Sequence, residues 1–519
     1  MLTNPILAID GYKVSHREQY PLGTTRIYSN FTPRSDRFFA SPLPDGQLVF
    51  FGLQGFLQWF MVDLFNQQFF AQPEEQVVGE YKKLMDSYIG QDRVCVEHIR
   101  ALHRLGYLPL HIKGLDEGSK VKMKVPVLTI TNTREEFFWL VNYLETVISA
   151  ELWKASTNAT IAHHYRKICQ MWAAKTCDDV AHLDFQCHDF SFRGMSGMHD
   201  VAQAGTGHLL SFKGTDNIPA VLYAQKYYPT AEDYFVAGSI PATEHSVMCM
   251  GEQATEIETF RRLIEDLYPN GLVSIVSDTW DYWQVLTEFT RELHSKIMAR
   301  DGRVVFRPDS GDPVAILCGT GDDSDHSAQR SAEEKGSVEV LWEIFGGTVN
   351  SKGYKVLDPH VGLIYGDSIT LERAQEILQR LEAKGFASSN VVFGVGSFTY
   401  QYNTRDTFGF AMKATYGEVN GVGRPIFKQP KTDSGLKQSA RGLLRVIRDG
   451  EGEYQLLDNQ DWQQEQQGEL KTRFLDGKLY NQESLEQIRQ RIACPSPQPS
   501  PCTDRGHGRQ VFKDMVNTF

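Results

Sequence analysis

Between residues 180 and 400, short hydrophobic runs alternate with amphipathic helical segments. Each run ends in a polar residue or a glycine, and the clearest are LDFQCHDF, LVSIVSD, RVVFRPDSGDP, VGLIYGD and NVVFGVGS. The best-defined helix, predicted over residues 370–384, places four apolar side chains on one face and stops at Gly385. Strand, helix and strand repeating at roughly 30 residues per unit predict an α/β fold built on a parallel sheet or barrel.

The flanking segments carry other patterns. Residues 51–102 have helical spacing, and the most apolar window, residues 48–65, predicts a buried helix because polar residues interrupt it. Two further helices are predicted over residues 135–153 and 157–175, and we interpret the adjacent histidines of the second as packing or surface residues. Strand patterns occur at residues 110–130 and in TFGFAMKATY, while IDGYKVSH and YSNFTPR predict an N-terminal strand and turn.

Two polar segments interrupt these patterns. Residues 319–336 form an insertion whose DDSD lacks the glycine and glutamate offsets of a calcium loop, so we assign no metal to it. Residues 494–519 contain PSPQPSP and predict a flexible tail.

The composition is that of a globular protein. The chain has 519 residues, 41% hydrophobic and 23% charged, which predicts two or three domains. Its first residues lack the pattern of a secretion signal, and its eight cysteines form no CxxC pair, so we expect a cytoplasmic protein with reduced thiols. The formal net charge of -12 argues against broad nucleic-acid binding, so an anionic substrate needs a local basic cluster.

The segment SIPATEHS, residues 239–246, contains the first candidate for chemistry. Gly238 and Pro241 exclude a helix interior, so we expect a shaped loop that presents His245 to solvent. Taken alone, an exposed loop histidine is more often a solvated side chain than a catalytic one.

Polar residues also follow the predicted strands, and in parallel α/β folds the carboxyl ends of strands carry function. These residues are Asp189, Asp278, Arg307, Asp309, Asp367 and Gly396. In HDFSFRG, Phe190 offers an aromatic face and Arg193 a forked donor, while in FKGTD Gly214 permits close approach to Asp216. A core phenylalanine, a surface arginine and a turn-capping aspartate are the structural alternatives.

Glycines after two strands, in GD and GVGS, suit loops whose N–H groups cradle phosphate. Neither a Walker A loop nor a full GxGxxG is present, so a P-loop kinase and a dinucleotide-fold dehydrogenase are not supported. The residues predict a barrel site for a phosphorylated sugar, with an aromatic slot for a flat base, and leave the reaction open.

The motifs IDGYKVSH, HDFSFRG, FKGTD, SIPATEHS, VSDTWD, RPDSGDP, NSKGY, GD and TRD occur in one order over nearly the whole chain. In this succession the chain resembles the nicotinamide phosphoribosyltransferase family. The resemblance implies a type II phosphoribosyltransferase fold: an irregular α/β barrel, residues 156–399, and an α+β domain built from both chain ends, residues 1–155 and 400–493. It also implies a homodimer with active sites between subunits, and the conversion of nicotinamide and phosphoribosyl pyrophosphate to nicotinamide mononucleotide and pyrophosphate for NAD salvage.

The resemblance further implies a role for each candidate. Phe190 and Tyr12 of the partner subunit would sandwich the pyridine ring, with Asp216 and Arg307 on its carboxamide. A carboxylate there would repel nicotinate, whose own carboxylate is anionic. The implied sugar and phosphate ligands are Asp309 and Asp367 for the ribose, Gly366 and Gly396 for the 5'-phosphate, Arg193, and Arg34, Arg405 and Lys413 of the partner subunit. The other implied substrate-binding residues are Asp10, Ser239 and Ser274.

The histidine of the SIPATEHS loop is, by the same resemblance, phosphorylated by ATP, whose hydrolysis drives the reaction. His245 is the matching residue, and Asp278 is expected to orient its ring, with Glu244 as a second candidate. Mg²⁺ is the implied cofactor, bound mainly through pyrophosphate, and ATP is the implied co-substrate.

Three residues depart from the family pattern: Val395, Ser397 and Ala411, the last where a serine is common. A lost hydroxyl contact typically weakens binding by roughly 0.5–1.5 kcal/mol. A nicotinate phosphoribosyltransferase is the nearest alternative, and Asp216 argues against it. A sugar-phosphate lyase or isomerase would need a Schiff-base lysine or a metal triad, and a purely non-catalytic role would leave the candidate residues unexplained.

Overall fold

The parallel sheet that the sequence predicts is present in the computed structural model, which describes residues 4–321, 329–427 and 440–493. Its six strands all run parallel to their neighbours. In spatial order they are Gly214–Thr215, Cys187–Asp189, Val391–Val395, Val361–Tyr365, Val304–Arg307 and Val273–Val276. Because parallel strands end at one edge, the polar residues that follow them are brought together.

The segment around Pro241 joins the two edges of this sheet. Gly238 pairs with Gly214 on one edge strand, and Ala242 pairs with Ser274 on the other. Backbone hydrogen bonds support both contacts, at 3.1 Å from Thr215 N to Gly238 O and 2.9 Å from Ser274 N to Pro241 O. The sheet therefore curls into an irregular barrel, and the predicted α/β barrel fold is confirmed.

Helices surround the barrel and bury its core. The helix predicted over residues 370–384 is present as Leu371–Ala383, and Thr370 caps it by accepting a hydrogen bond from Arg373 N at 3.2 Å. Its apolar face is buried against the barrel as the pattern predicts. The other helices from residue 198 to residue 401 are Met198–Leu209, Ile218–Tyr227, His245–Met250, Glu256–Arg261, Arg262–Leu267, Tyr282–Gln284, Val285–Phe289, Thr290–Glu292, His294–Met298, Pro313–Cys318, Ala332–Lys335, Ser337–Phe345 and Ser397–Gln401.

A second, seven-stranded sheet draws its strands from both ends of the chain. In spatial order these are Val422–Pro425, Ala411–Val419, Thr24–Thr32, Leu128–Asn132, Leu110–Gly114, Lys471–Leu475 and Lys478–Leu479. Its neighbouring strands are antiparallel. Thr32 pairs with Ala411, and Arg34 N donates to Phe408 O at 3.0 Å, so the two chain ends meet at the tip of this sheet.

Two-stranded ribbons and helices complete the described residues. The ribbons pair Gln47–Val49 with Lys120–Lys122, Gly347–Val349 with Lys355–Leu357, and Leu443–Arg448 with Tyr454–Gln460. The remaining helices are His16–Gln19, Leu53–Phe56, Leu57–Leu64, Asn66–Phe70, Glu74–Tyr88, Glu97–Leu105, Leu140–Tyr143, Glu145–Thr176, Trp462–Glu465 and Leu485–Ala493. The 3₁₀ turns are Pro5–Leu7, Gly11–Ser15, Glu135–Phe137, Ala181–Phe185, Phe192–Gly194, Gln253–Thr255, Ser388–Asn390 and Arg405–Thr407.

The prediction of two separate helices over residues 135–153 and 157–175 is wrong. One 32-residue helix, Glu145–Thr176, runs through the expected break. The hydroxyls of Thr157 and Thr160 donate to carbonyls four residues earlier, at 2.7 Å each, so these two hydroxyl groups are satisfied inside the helix. The adjacent histidines, His163 and His164, are buried packing residues.

Other boundaries also differ from expectation. Within the window 48–65, the first residues form a strand and the helix begins at Leu53, after Gly52 adopts a left-handed φ of 103°. IDGYKVSH forms short helical turns instead of a strand. The predictions for the tail, and for residues 322–328 and 428–439, lie outside the described residues.

Six cysteines lie within the described residues, and all six are free thiols. No helix in this described part of the chain is both long and apolar enough to cross a membrane.

Candidate active site

A cavity of 530 Å³ runs through the barrel interior. Arg303 and Arg307, at opposite ends of one strand, both line it, which shows that it follows the strand direction. Phe190, Asp216 and Arg307 all line this cavity. The strand-end pattern predicts Arg307 at this edge of the sheet, and the resemblance implies Phe190 and Asp216 beside it. An aromatic face, an acceptor and a cationic donor can together hold a flat polar ring.

Asp216 is fixed through one of its two oxygens. His188 Nε2 lies 2.8 Å from Asp216 Oδ1, and Ser239 Oγ donates to the same oxygen at 2.5 Å. Burial disfavours the carboxylate, but these two contacts and Arg307 outweigh it and hold the pKa of Asp216 below its usual value. The carboxylate is therefore an anionic acceptor at neutral pH.

Arg307 is held by the segment that closes the barrel. Its Nη2 donates to Thr243 O at 2.6 Å, and its guanidinium carbon lies 6.0 Å from the centre of the Phe190 ring. Its buried Nε has no hydrogen-bond partner among the described residues. Ser274 Oγ, on the wall of the same cavity, is likewise buried without a partner within those residues. Ser274 Oγ is available to a ligand, and Arg307 Nε faces Asp309 Oδ1 at 3.8 Å, an ion pair too long for a hydrogen bond.

Three carboxylates, those of Asp278, Asp309 and Asp367, follow three adjacent strands of the parallel sheet. Asp309 N donates to Asp278 Oδ2 at 3.0 Å, and Asp309 Oδ1 is buried without a hydrogen-bond partner in the described residues. Burial, joined by Asp278 and Asp367, raises the pKa of Asp309, although Arg307 opposes the shift. Asp367 accepts a hydrogen bond from Ser368 Oγ at 2.9 Å. These acceptors suit hydroxyl groups of a sugar.

His245 lies at the first position of a short helix, at the end of the loop that the sequence predicts. Its Nε2 lies 3.2 Å from Asp278 Oδ1, and its side chain is 47% exposed whereas that of Asp278 is 5% exposed. Glu244 accepts a hydrogen bond from Ser246 Oγ. Of the two acidic residues considered for orienting the ring, Asp278 is the one in contact with it.

A second cavity, of 390 Å³, is lined by the candidate binding residues from the N-terminal and C-terminal parts of the chain. Its lining includes Asp10, Tyr12, Arg34, Arg405, Ala411 and Lys413, and no described residue lines both cavities. Burial and the nearby Arg405 lower the pKa of Arg34, which shows how closely these cations are placed. The ring of Tyr12 is 61% exposed. One chain therefore has two separate cavities, the first lined by Phe190, Asp216 and Arg307 among others, and the second by three cationic side chains together with Asp10 and Glu145.

Some strand-end residues have other roles. Asp189 is fully buried and accepts from Ser191 N at 2.9 Å, so it is a structural residue, not a ligand of the cavity. Arg193 is exposed on the turn Phe192–Gly194 and lines neither cavity. Sequence reasoning gave no role to His188, although it lies two residues before Phe190 and so on the same side of the strand.

Among the described residues, no three histidine, cysteine or acidic side chains are close enough to hold a metal by themselves. Mg²⁺ is commonly held by one or two carboxylates plus substrate phosphates. The carboxylates of Asp278 and Asp309, whose charges act on each other, fit that requirement, so the donor set is compatible with Mg²⁺ carried in by a phosphorylated ligand.

Two family models match the chain. The Nicotinate phosphoribosyltransferase (NAPRTase) family matches residues 185–478, and the Nicotinamide phosphoribosyltransferase, N-terminal domain, matches residues 4–97. The nicotinamide phosphoribosyltransferase of Acinetobacter baylyi is 58% identical over 498 residues, covering 94% of this chain and 97% of the relative. That of Mycoplasma pneumoniae is 34% identical and covers 84% and 94%. The nicotinate-nucleotide pyrophosphorylase structure from Pyrococcus furiosus, 15% identical, covers 94% of both chains at a TM-score of 0.54, which supports the fold alone.

Proposed function

Because this chain belongs to the nicotinamide phosphoribosyltransferase family, we propose that it transfers the phosphoribosyl group of phosphoribosyl pyrophosphate to nicotinamide. The products are nicotinamide mononucleotide, which serves NAD salvage, and pyrophosphate. The observation that carries the proposal is the meeting of Phe190, Asp216 and Arg307 at one end of the barrel cavity. The six free thiols of the described residues support a cytoplasmic location.

These three residues account for binding of the base. The pyridine ring stacks on Phe190, the carboxamide N–H donates to Asp216, and Arg307 donates to the carboxamide oxygen. Nicotinate would place a second carboxylate against Asp216, and this like-charge contact favours the amide. The low pKa of Asp216 supports this step because it keeps the carboxylate charged.

In the transfer step, the ring nitrogen of nicotinamide bonds to the anomeric carbon, and pyrophosphate leaves with the electron pair of the broken C–O bond. Asp309 and Asp367 hold the ribose hydroxyls, and Gly366 and Gly396 border the 5'-phosphate. Cationic side chains stabilise the charge that develops on the leaving group. Bound Mg²⁺ would neutralise further charge on pyrophosphate.

The active site is shared between two subunits in this proposal. Tyr12, Arg34, Arg405 and Lys413 line a cavity separate from the barrel cavity of their own chain. A homodimer that places this cavity over the barrel mouth of its partner would add the second aromatic ring and the missing cations.

ATP hydrolysis is coupled through His245. With its Nε2–H held by Asp278 Oδ1, Nδ1 is the free nucleophile. It bonds to the γ-phosphorus of ATP and ADP leaves, giving a phosphohistidine whose hydrolysis drives the transfer. Asp278 also accepts from Asp309 N, which links the phosphorylated group to the ribose-binding carboxylates.

The test measures mononucleotide and pyrophosphate formation from phosphoribosyl pyrophosphate and Mg²⁺, with nicotinamide or nicotinate, each with and without ATP. We expect a preference for nicotinamide and a higher rate with ATP. Preference for nicotinate would keep the donor site but overturn the role of Asp216, and no product with either base would overturn the proposal.

His245→Ala is expected to keep the basal transfer and lose the stimulation by ATP. His360→Ala is the control, since His360 also pairs with a carboxylate, Asp358 at 2.7 Å, but lines neither cavity. An ATP-stimulated rate in His245→Ala would contradict the coupling.

A further inference from the structure

The geometry around Asp216 points to His188 as a positioning residue that sets the preference of this site for an amide over an acid. We propose that His188 fixes Asp216 Oδ1 and so presents Oδ2 to the substrate as the only free acceptor. This inference rests on the proposed function, since it deepens the role of Asp216 in choosing the base.

Both hydrogen bonds to the Asp216 carboxylate reach the same oxygen. His188 Nε2 lies 2.8 Å from Oδ1, and Ser239 Oγ lies 2.5 Å from it, while no hydrogen bond from the described residues reaches Oδ2. The terminal torsion of an aspartate is broad and two-fold, so an unrestrained carboxylate exchanges its oxygens easily. Two donors on one oxygen therefore define which oxygen the ligand meets.

The His188 ring occupies space that is open because the residue opposite it, Gly214, has no side chain. His188 pairs directly with Gly214 on the neighbouring strand, and a Cβ on Gly214 would lie 2.8 Å from His188 Nδ1. On its other side the ring lies 5.0 Å from the ring of Phe190. His188 thus lies between the strand Gly214–Thr215, which precedes Asp216, and the ring of Phe190, and its side chain is only 12% exposed.

The fixed position of the Asp216 carboxylate explains how the site distinguishes an amide from an acid. With Oδ1 occupied, Oδ2 can accept one N–H from a carboxamide, and a nicotinate carboxylate offers no such donor. Without His188, the carboxylate can turn or take up a proton. A protonated Asp216 would donate to nicotinate, and a rotated carboxylate would no longer present a fixed acceptor to the amide, so the discrimination between the two bases would fall.

The test compares His188→Phe, which keeps the ring and removes the donor, with His188→Gln, which keeps an N–H donor at a similar reach. The ratio of kcat/KM for nicotinamide over nicotinate is measured for each, together with the KM for phosphoribosyl pyrophosphate. We expect His188→Phe to lower the ratio roughly 10- to 150-fold, the range of one hydrogen bond to a charged group. His188→Gln should recover most of the ratio, and the KM for phosphoribosyl pyrophosphate should stay unchanged in both variants.

Gly214→Ala provides a second route that leaves residue 188 a histidine. Its added methyl group displaces the His188 ring, and we expect the ratio to fall in the same direction. This variant replaces His188→Phe if the latter does not fold.

The outcomes separate the two proposals. A wild-type enzyme that prefers nicotinamide, with an unchanged ratio in His188→Phe or Gly214→Ala, overturns the role of His188 alone. Equal losses for both bases with no recovery in His188→Gln assign His188 to structure and also overturn it. A wild-type enzyme without product from either base, or with preference for nicotinate, overturns the proposed function and this inference with it.

Discussion

Replacing Gly366 with alanine tests the ribose-binding role of Asp309 without removing any functional side chain. A Cβ on Gly366 would lie 2.0 Å from Asp309 Oδ1 and 3.6 Å from Arg307 Cδ. Gly366 does not have a positive φ, so alanine introduces no left-handed backbone strain. Because the proposed function also places Gly366 beside the 5'-phosphate, an Asp309→Ala background is needed to separate the two contacts.

The size of the effect follows from this contact. Asp309 Oδ1 must move by about 1.4 Å to reach the 3.4 Å of an ordinary contact. The main chain cannot follow freely, because Asp309 N is hydrogen-bonded to Asp278 Oδ2 at 3.0 Å, so the side chain has to rotate. A lost hydrogen bond to a charged group costs about 1.5–3 kcal/mol, which corresponds to a roughly 10- to 150-fold lower kcat/KM.

The assay is steady-state kinetics with phosphoribosyl pyrophosphate as the varied substrate. Gly79→Ala is the control, since it adds a methyl group in open space on the helix Glu74–Tyr88, and it should leave the kinetics unchanged. In an Asp309→Ala background the Gly366→Ala change should add little, because the clashing oxygen is gone. A kcat/KM within about twofold of wild type in Gly366→Ala would refute the role assigned to Asp309.

Three further predictions follow from other contacts. Gly394→Ala would place a methyl group 2.5 Å from the Phe190 ring, so the KM for nicotinamide should rise by about tenfold or more, and an unchanged KM would contradict stacking on that ring. If the partner subunit supplies Tyr12, mixing inactive Tyr12→Ala and Phe190→Ala dimers should restore about a quarter of wild-type activity. Half of the dimers then contain one chain of each variant, and each of these mixed dimers has one intact site out of two. Mixed dimers without activity would exclude a shared site. Burial, with the nearby carboxylate of Glu483, raises the pKa of Glu117 from 4.5 to about 7. The folded protein therefore holds this proton more tightly than the unfolded chain, and the stabilisation from protonated Glu117 is complete below pH 4.5 and is lost as pH rises to about 7. The free energy of unfolding, measured in urea, should fall by up to about 3 kcal/mol over that range in the wild type and should fall less in Glu117→Gln. Equal declines in the wild type and the variant would disprove this role of Glu117.

Much of the fold could be predicted because its signals are local. A parallel strand buried on both faces reads as a short apolar run, and a surface helix reads as a 3.6-residue period with a cap, as at Thr370. The residues after such strands share one edge of the sheet whatever the strand order. Arg307, Asp309 and Asp367 could therefore be expected at one edge of the sheet before their distances were known, whereas the family resemblance was needed to join Phe190 and Asp216 to them.

The predictions that failed depended on contacts absent from local patterns. The break expected near residue 156 was removed by hydroxyl groups that bond to the preceding turn and, for Ser156, to Phe51 O at 2.9 Å across the structure. Asp189 has the same sequence setting as the other strand-end residues, yet it is enclosed completely. Burial of a side chain depends on which elements cover it, and that is decided between segments far apart in the chain.

The sequence by itself determined the parallel strands, the residues at their ends and the family to which the chain belongs, because hydrophobic periodicity and motif order are properties of neighbouring residues. Only the tertiary structure decided that residues 238–242 join the two edge strands, that Asp278 contacts His245, and that His188 and Ser239 hold the same oxygen of Asp216. Each of these contacts joins residues 23 to 33 positions apart in the chain. Strand order and barrel closure set such distances, and no local pattern encodes them.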